Sequence, residues 1–380
     1  MSGEPHTPRV LLLSAVGTRT NPYIGLLQDG LAAAGADVRV VDRLRPADLT
    51  GVARPDVIHL HWLDRYDLPQ AILLRGFHGA TDLPRRTLRR LLETGCNVAP
   101  IYQMRRWWRL RRLVGQLRGF QATGGRVAYT IHNLDPHEDQ GPADRWGSAR
   151  LIRLADVVHV HDESTAQAVT ERFGRRGGVA TIPHGHYLHS YPNQIDRLAA
   201  RARLGLPAAA FLYVTLGLLR PYKGLETLLA AFRSLPGEDV ALLLAGKSDS
   251  DSYGETLATL AAGDPRIRLQ AGFVPREDVQ LYLNAADVCV LPYRQITTSG
   301  AALLAFSFGV PVIAPAIGGF PSLVEGRRGF LYDPADPAGL TRALAQARET
   351  DWQGARQEIR DWVAQFDWRE IGRRLVRAYG

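Results

Sequence analysis

Histidine and acidic residues recur where apolar runs of this sequence end. His59-Leu60-His61-Trp62-Leu63-Asp64 closes one run, and Thr130-Ile131-His132-Asn133-Leu134-Asp135-Pro136-His137-Glu138 closes another. His159 and His161, followed by Asp162 and Glu163, close a third, and His184-Gly185-His186 a fourth. If these runs are strands, alternation places His59 and His61 on one face. Imidazoles and carboxylates gathered at strand ends bind hydroxyl groups and move protons near neutral pH. The same groups are zinc ligands, but their spacing matches no helix-borne His-Glu-x-x-His pattern. Proton chemistry on hydroxyls fits better, so no metal is expected. For any one of these histidines, a hydrogen-bonded place in the core is the plain alternative.

A second chemistry, anion binding, is written in the other half of the chain. The chain has 46 basic residues, of which only two are lysine, Lys223 and Lys247. Lys223 stands in Gly217-Leu218-Leu219-Arg220-Pro221-Tyr222-Lys223-Gly224, between a strand-like run and a helix-like one. Arginine is a wide planar fork and lysine a slim point charge, so Lys223 suits a place that only the slim cation fits. The alternative is chance placement. Two cations flanking a turn at a helix N-terminus suit a diphosphate, because backbone N–H groups and the helix dipole both favour anions there. Thr297-Thr298-Ser299-Gly300 precedes another helix-like run, 301–308. Ser299 or Thr298 suits the N-cap, and Gly300 would let a phosphate approach the backbone.

Both sets of residues need strand ends to carry them. Val10–Ser14, Asp37–Val41, Val57–His61, Val127–Ile131 and Val157–His161 read as strands, with helix-like stretches at 22–34 and 99–121. After about residue 190 the pattern restarts, with strands Leu212–Gly217, Ala241–Ala245, Ile267–Gln270, Val288–Leu291 and Val312–Ala314 and a helix from Lys223. Segments 338–349, 354–365 and 367–379 read as helices. Such alternation argues for parallel sheets with right-handed crossovers, and 380 residues suit two domains. The expected architecture is α/β, two doubly wound Rossmann-like domains facing each other across a cleft, with ligands beyond the carboxyl ends of the strands.

Composition narrows the class. Two cysteines, Cys96 and Cys289, are too few for a disulfide framework. No apolar run approaches the roughly 20 residues of a membrane span, and residues 1–9 lack the order of a secretory signal, so a cytoplasmic protein is expected. Residues 1–190 hold 25 Arg, no Lys and 18 acidic residues, a net charge of +7, and the remainder is close to neutral. Arg85, Arg86, Arg89 and Arg90 form one cluster, and Arg105, Arg106, Arg109, Arg111, Arg112 and Arg118 another. An anionic membrane at the inner face, an anionic substrate and a merely solvated helix face all suit these clusters. No zinc-finger or RNP signature accompanies them, so no nucleic-acid partner is expected. The loop Ser14-Ala15-Val16-Gly17-Thr18-Arg19 lacks Gly-x-Gly-x-x-Gly, against a dinucleotide-dependent oxidoreductase.

The second half resembles GT-B glycosyltransferases, particularly the large family 4. The resemblance rests on Gly217…Arg220…Lys223-Gly224, Ala245-Gly246-Lys247, Gly272-Phe273-Val274-Pro275, Ala285-Ala286-Asp287-Val288, Leu291-Pro292 and Phe308-Gly309-Val310-Pro311-Val312-Ile313-Ala314 with Gly318-Gly319, in that order. The first half, with its His-Leu-His-Trp, Thr-Ile-His-Asn-Leu and Pro-His-Gly-His segments, looks like bacterial transferases that build exopolysaccharides, some of them GDP-mannose-dependent. The resemblance implies an acceptor-binding domain over 1–190, a donor-binding domain over 191–365, and a last helix, 366–380, for which a return to the first domain is one option. It implies that Arg220 and Lys223 hold the donor diphosphate, that Phe273 and Val274 lie near the base, and that Ser299-Gly300 lies near the phosphates. Gly17, Gly246 and Thr298 are counted with the donor site, and His132 falls near the transferred sugar. Where family 4 usually carries two glutamates, this chain has Ile296 and Leu304, so ribose recognition differs and either stereochemical course is open.

The implied activity is metal-independent transfer of a sugar from a GDP- or UDP-sugar, GDP-mannose being favoured, to a hydroxyl of a glycan, a lipid-linked or a small-molecule acceptor, without a cofactor. Arg220 and Lys223 would stabilise the leaving diphosphate. An inverting course would need a base, for which Asp64, Asp135, Glu138 and His132 are candidates. The alternatives are a GT-B epimerase or phosphorylase, or a non-catalytic sugar-binding module.

Overall fold

The pair Asp-Val stands at the start of five strands, and for three of them a computed structural model of the chain shows why. The structure describes residues 7–15, 22–51, 54–62, 100–134 and 141–380. Its strands are β1 (Arg9–Ser14), β2 (Asp37–Val41), β3 (Val57–His61), β4 (Arg126–Thr130), β5 (Val157–Val160) and β6 (Val179–Thr181), then β7 (Phe211–Leu216), β8 (Val240–Gly246), β9 (Ile267–Ala271), β10 (Val288–Val290), β11 (Val312–Pro315) and β12 (Gly329–Tyr332). Asp56 accepts the Arg9 amide at 2.8 Å, Asp156 the Val127 amide at 2.8 Å, and Asp287 the Leu212 amide at 2.7 Å. In each case an aspartate at the start of one strand satisfies an amide in the first two residues of the strand beside it, a donor that would otherwise be orphaned. Asp287 also takes the Nη2 of the fully buried Arg201 at 2.6 Å, and that guanidinium donates further to the carbonyls of Ala285, Ala208 and Ala210.

The strands form two six-stranded sheets, ordered β2-β1-β3-β4-β5-β6 and β12-β11-β10-β7-β8-β9, with every pairing parallel. Central strands such as Val-Ala-Leu-Leu-Leu-Ala-Gly (β8) and Val-Ile-His-Leu-His (β3) are buried throughout, as expected of parallel strands covered on both faces. Strand order reverses between β1 and β3 in the first sheet and between β7 and β10 in the second. Ligands bind doubly wound sheets beyond the carboxyl ends at such reversals.

The chain divides into two compact units. One comprises the described residues through Pro183 together with Trp368–Gly380, and the other is His184–Asp367. Segment His184–Ser190 belongs to the second unit, where the His186 amide donates to Phe366 O at 3.1 Å and the Tyr187 amide to Ser307 Oγ at 2.9 Å. The last helix, Trp368–Tyr379, packs on helix Tyr23–Ala33 within the first unit. Gly372 of the last helix and Gly30 of helix Tyr23–Ala33 let the two backbones touch, and a Cβ on either would strike the other helix.

Two strands and one helix start depart from the sequence reading. β6 and β12 are short sheet edges, only partly buried, and so carry little hydrophobic signal. The helix expected from Lys223 starts at Leu225. Pro221–Lys223 forms a 3₁₀ turn instead, and Gly224, at φ 66°, ends it in the left-handed region.

Candidate active site

In the second unit the loops after β7 and β10 meet at Lys223. A Cβ on Gly224 would strike the Pro292 carbonyl, which is why glycine follows the lysine. The Lys223 side chain is only 6% exposed, and its ammonium lies 5.5 Å from the centre of the Tyr293 ring. A Cβ built on Gly217 would lie 3.5 Å from that nitrogen. Among the described residues no carboxylate pairs with Lys223. Burial and the neighbouring Arg220 guanidinium lower its pKa to about 8, while burial raises the adjacent Cys289 thiol to about 12. A buried cation without a counterion is costly unless a ligand supplies the anion. Arg220, whose Nε lies 3.3 Å from Asp249 Oδ1, is the second cation on this loop.

Helix Gly300–Ser307 starts from the loop after β10. Ser299 caps it, accepting the Ala302 amide at 3.2 Å, whereas Thr298 Oγ1 is buried with no partner among the described residues. Gly300 faces His184 and Tyr187: a Cβ there would lie 3.3 Å from the Tyr187 hydroxyl and 3.6 Å from His184 Nε2. Burial lowers the His184 pKa to about 4, against the raising effect of its bond to the Gly185 carbonyl, so the ring is neutral. Phe273, past the end of β9, is 74% exposed, and Val274 is half-buried. Gly246 has a packing task of its own: at φ 147° it passes so close to Gly217 that a Cβ would strike the Gly217 carbonyl. It joins the β7 and β8 loops, and its glycine is required by that crossing.

In the first unit the strand-end histidines form two layers. The inner layer is a hydrogen-bonded chain: Tyr379 OH to His59 Nδ1 at 2.7 Å, His59 Nε2 to Thr130 Oγ1 at 2.7 Å, Thr130 Oγ1 to His159 Nδ1 at 2.9 Å, and His159 Nε2 to Ile182 O at 2.9 Å. Its direction follows from the last partner. A carbonyl only accepts, so His159 carries its hydrogen on Nε2 and, in a neutral ring, accepts from Thr130 at Nδ1. Thr130 then accepts from His59 Nε2, and His59 Nδ1 accepts from the phenol. Burial holds His59 well below the usual histidine pKa. The outer layer holds His61, His132 and His161 around Tyr23. His61 Nδ1 lies 3.1 Å from His132 Nε2. The His132 ring stacks on Trp62 at 4.0 Å and 8°, and Trp62 is held at φ 45°, where a bulky residue is strained.

Of the residues singled out in the sequence, Gly17, Asp64, Asp135 and Glu138 lie outside the described residues, as do Cys96 and the arginines at 85, 86, 89 and 90. The structure brings Lys223, Gly217, Gly246 and the β10 loop together and places His132 beside His61. Sequence reasoning missed Tyr379, which shares no local pattern with His59, and the Cys289 and Tyr293 walls of the lysine pocket. Among the described residues no group of three or more His, Cys, Asp or Glu side chains is placed to hold a metal ion.

The family model for glycosyl transferases group 1 matches residues 210–349, the stretch that carries Lys223, Gly246, Phe273 and Gly300. The chain carries a group 1 glycosyltransferase domain. Its overall likeness extends further. GDP-mannose:glycolipid 4-beta-D-mannosyltransferase of Xanthomonas campestris pv. campestris is 28% identical over 387 residues, covering 98% of this chain and 92% of that protein. D-inositol 3-phosphate glycosyltransferase of Mycolicibacterium vanbaalenii is 34% identical but covers 63% of this chain and 56% of its own length. Among solved structures, sucrose-phosphate synthase from Thermosynechococcus elongatus superposes with a TM-score of 0.66 at 23% identity, covering 98% of each chain. The Anabaena HepE protein in complex with UDP and glucose gives 0.66 at 20% identity, covering 97% of this chain and 98% of that one. The transferase has the GT-B fold, two Rossmann-like domains, and its activity is glycosyl transfer from a nucleotide-sugar donor. No helix among its described residues is long and apolar enough to cross a membrane.

Proposed function

We propose that the transferase moves mannose from GDP-mannose to a hydroxyl of a lipid-linked glycan, with inversion at the anomeric carbon and without a metal. The observation that carries this reading is the 28% likeness to a GDP-mannose:glycolipid 4-beta-D-mannosyltransferase over 98% of the chain. Mannose in its nucleotide donor is an α-glycosyl phosphate, so a β-mannoside made from it requires inversion. Ile296 and Leu304, both partly buried, support a departure from family 4, which usually has glutamates at these two places.

The acceptor oxygen forms a bond to the anomeric carbon as the bond to the diphosphate oxygen breaks, and the electron pair leaves with the diphosphate. Lys223, Arg220 and the N-terminus of helix Gly300–Ser307 stabilise the charge that develops there, which is the part a divalent ion would otherwise play. Phe273 and Val274 lie beside the base, and Thr298, Ser299 and Gly300 beside the phosphates. His132 acts at the transferred sugar, and the acceptor proton passes to a base, for which Asp64, Asp135 and His132 are the candidates. The test is a donor panel of GDP-, UDP- and dTDP-sugars with and without EDTA, following free nucleotide, and an NMR assignment of the product anomer. GDP-mannose turnover unaffected by EDTA, with a β-linked product, is expected. Preference for a UDP-sugar, or an α-linked product, contradicts the reading.

We also propose that the enzyme works in the cytoplasm, peripheral to the anionic inner face of the membrane, where a lipid-linked acceptor would be presented. Helix Pro100–Ala122 exposes Arg105, Arg109, Arg111, Arg112 and Arg118 together with Met104 and Trp108, the last 61% exposed. Arg106 is not available to lipid, since it is buried and paired with Asp144. Exposed aromatic and cationic groups on one helix suit an anionic interface. Co-sedimentation with phosphatidylglycerol vesicles that weakens as salt rises supports this contact. Equal partition onto neutral phosphatidylcholine, or no binding at low salt, removes it.

A further inference from the structure

In the outer histidine layer, His61 carries a buried nitrogen that no described residue satisfies. His61 is 2% exposed, and its Nε2 is buried with no hydrogen-bond partner among the described residues. The ring of His59 lies close, with centroids 4.4 Å apart, but both its nitrogens are already used, by Tyr379 and Thr130. The other nitrogen, Nδ1, meets His132 Nε2 at 3.1 Å. Between two neutral imidazoles only one of these facing nitrogens carries the hydrogen. If His132 donated, the hydrogen of His61 would sit on Nε2, as a buried N–H with no acceptor. If His61 donates, its Nε2 is a bare lone pair. An orphaned buried N–H is the rarer and costlier of the two.

We propose that His61 is a positioning residue that donates from Nδ1 to His132 Nε2 and so presents His132 as a neutral Nδ1–H donor. The consequence concerns the reading above, on which this inference rests for the place of His132 in catalysis. With Nε2 filled and Nδ1 carrying hydrogen, His132 has no lone pair to accept the acceptor's proton. It serves an electron-rich oxygen, a sugar hydroxyl or the departing phosphate ester, and the base is another group.

The surroundings favour this arrangement. Stacking on Trp62 fixes the plane of the His132 ring, and Tyr23 meets it edge-on at 5.0 Å. Among the described residues, His61 from β3, Tyr23 from its helix and His161 from the end of β5 face His132, with centroids at 5.4, 5.0 and 5.6 Å. Burial, then the like-charged forms of His59, His132, His159 and His161, hold His61 well below the usual histidine pKa, so the ring that donates is neutral.

The experiment has two parts. Long-range ¹H–¹⁵N spectra of histidine-labelled enzyme, without substrate, should show hydrogen on His61 Nδ1 and none on His132 Nε2. Hydrogen on His132 Nε2 overturns the proposal, whatever the donor panel shows. In transfer assays, His61→Phe removes the donor while keeping a buried ring, and His61→Asn keeps an N–H near the place of Nδ1. His61→Phe should lose about tenfold or more in kcat, as expected when a working imidazole loses the partner that fixes its tautomer. The acid limb of its pH profile should move to higher pH, because His132 Nε2 is then open to protonation. His61→Asn should restore the wild-type limb. If His61→Phe, folded by circular dichroism, keeps both the rate and the limb of the wild type, His61 does not set His132. A tautomer found as stated together with a His132→Ala enzyme of full activity would overturn the catalytic place of His132 and leave the proton assignment standing.

Discussion

Lys223→Met should lower glycosyl transfer by about 100- to 1000-fold and make the protein more stable. The first effect follows from position. The ammonium is the buried cation at the reversal between β7 and β10, and a contact that acts mainly on a developing leaving-group charge is worth about that factor. The second follows from burial. A lysine whose pKa falls from 10.5 to about 8 on folding holds a charge that the native state disfavours. At pH 7 both folded and unfolded chains are protonated, and the folded one carries a penalty of about 3 kcal/mol. The penalty fades as pH rises from the folded toward the unfolded value. Methionine fills a similar volume without the charge, so its melting temperature should exceed that of the wild type at pH 7 by several degrees, and the gap should close near pH 11. Stability given up for function is common at binding sites. Lys223→Arg should not rescue activity, since Gly217, Tyr293 and Cys289 leave room for a slim cation only. A destabilised Lys223→Met protein, or one of near-normal turnover, would count against this account of the pocket.

Donor use should weaken above about pH 8, and in a particular way. The free enzyme binds the diphosphate with a charged Lys223, so each pH unit above its pKa removes about tenfold of kcat/KM for the donor. Bound diphosphate is an anion beside the amine and raises its pKa, so kcat should hold to higher pH while KM climbs. The limb should vanish in Lys223→Ala. A limb that persists in that variant belongs to another group. The neutral histidines cannot supply it, because His59, His61 and His184 are held below the ordinary histidine value by burial.

The lysine pocket was legible because composition exposed it: two lysines in a chain that otherwise uses arginine, one of them before a glycine at a strand-to-helix junction. The structure supplies the reason, since the site is closed by Tyr293 and Pro292 and a Cβ at 224 has no space. Asp37–Val41 and Val57–His61 were readable to the residue, as apolar or alternating runs between turn signals. Gly246 was read as a donor-site glycine, and its crossing with Gly217 already demands glycine, because close approach to a phosphate and close approach to a neighbouring loop require the same residue. The pairing of His61 with His132 depends on β3 and β4 being neighbours, and the bond from Tyr379 to His59 spans 320 positions. No local pattern carries either. The shared Asp-Val openings of β3, β5 and β10 were visible in the sequence, but their meaning appears only when each carboxylate is seen on the amide of the adjacent strand.

The central claim is that a nucleoside diphosphate binds at the buried Lys223 ammonium. Because the chain holds only two lysines, enzyme labelled at lysine Cε and Nζ yields two side-chain signals, assigned by Lys247→Arg. Titrated without ligand, the Lys223 signal should have a pKa near 8; on adding GDP, it should shift and titrate at higher pH. A Lys223 signal that titrates like free lysine, and that neither GDP nor UDP moves, would contradict the claim.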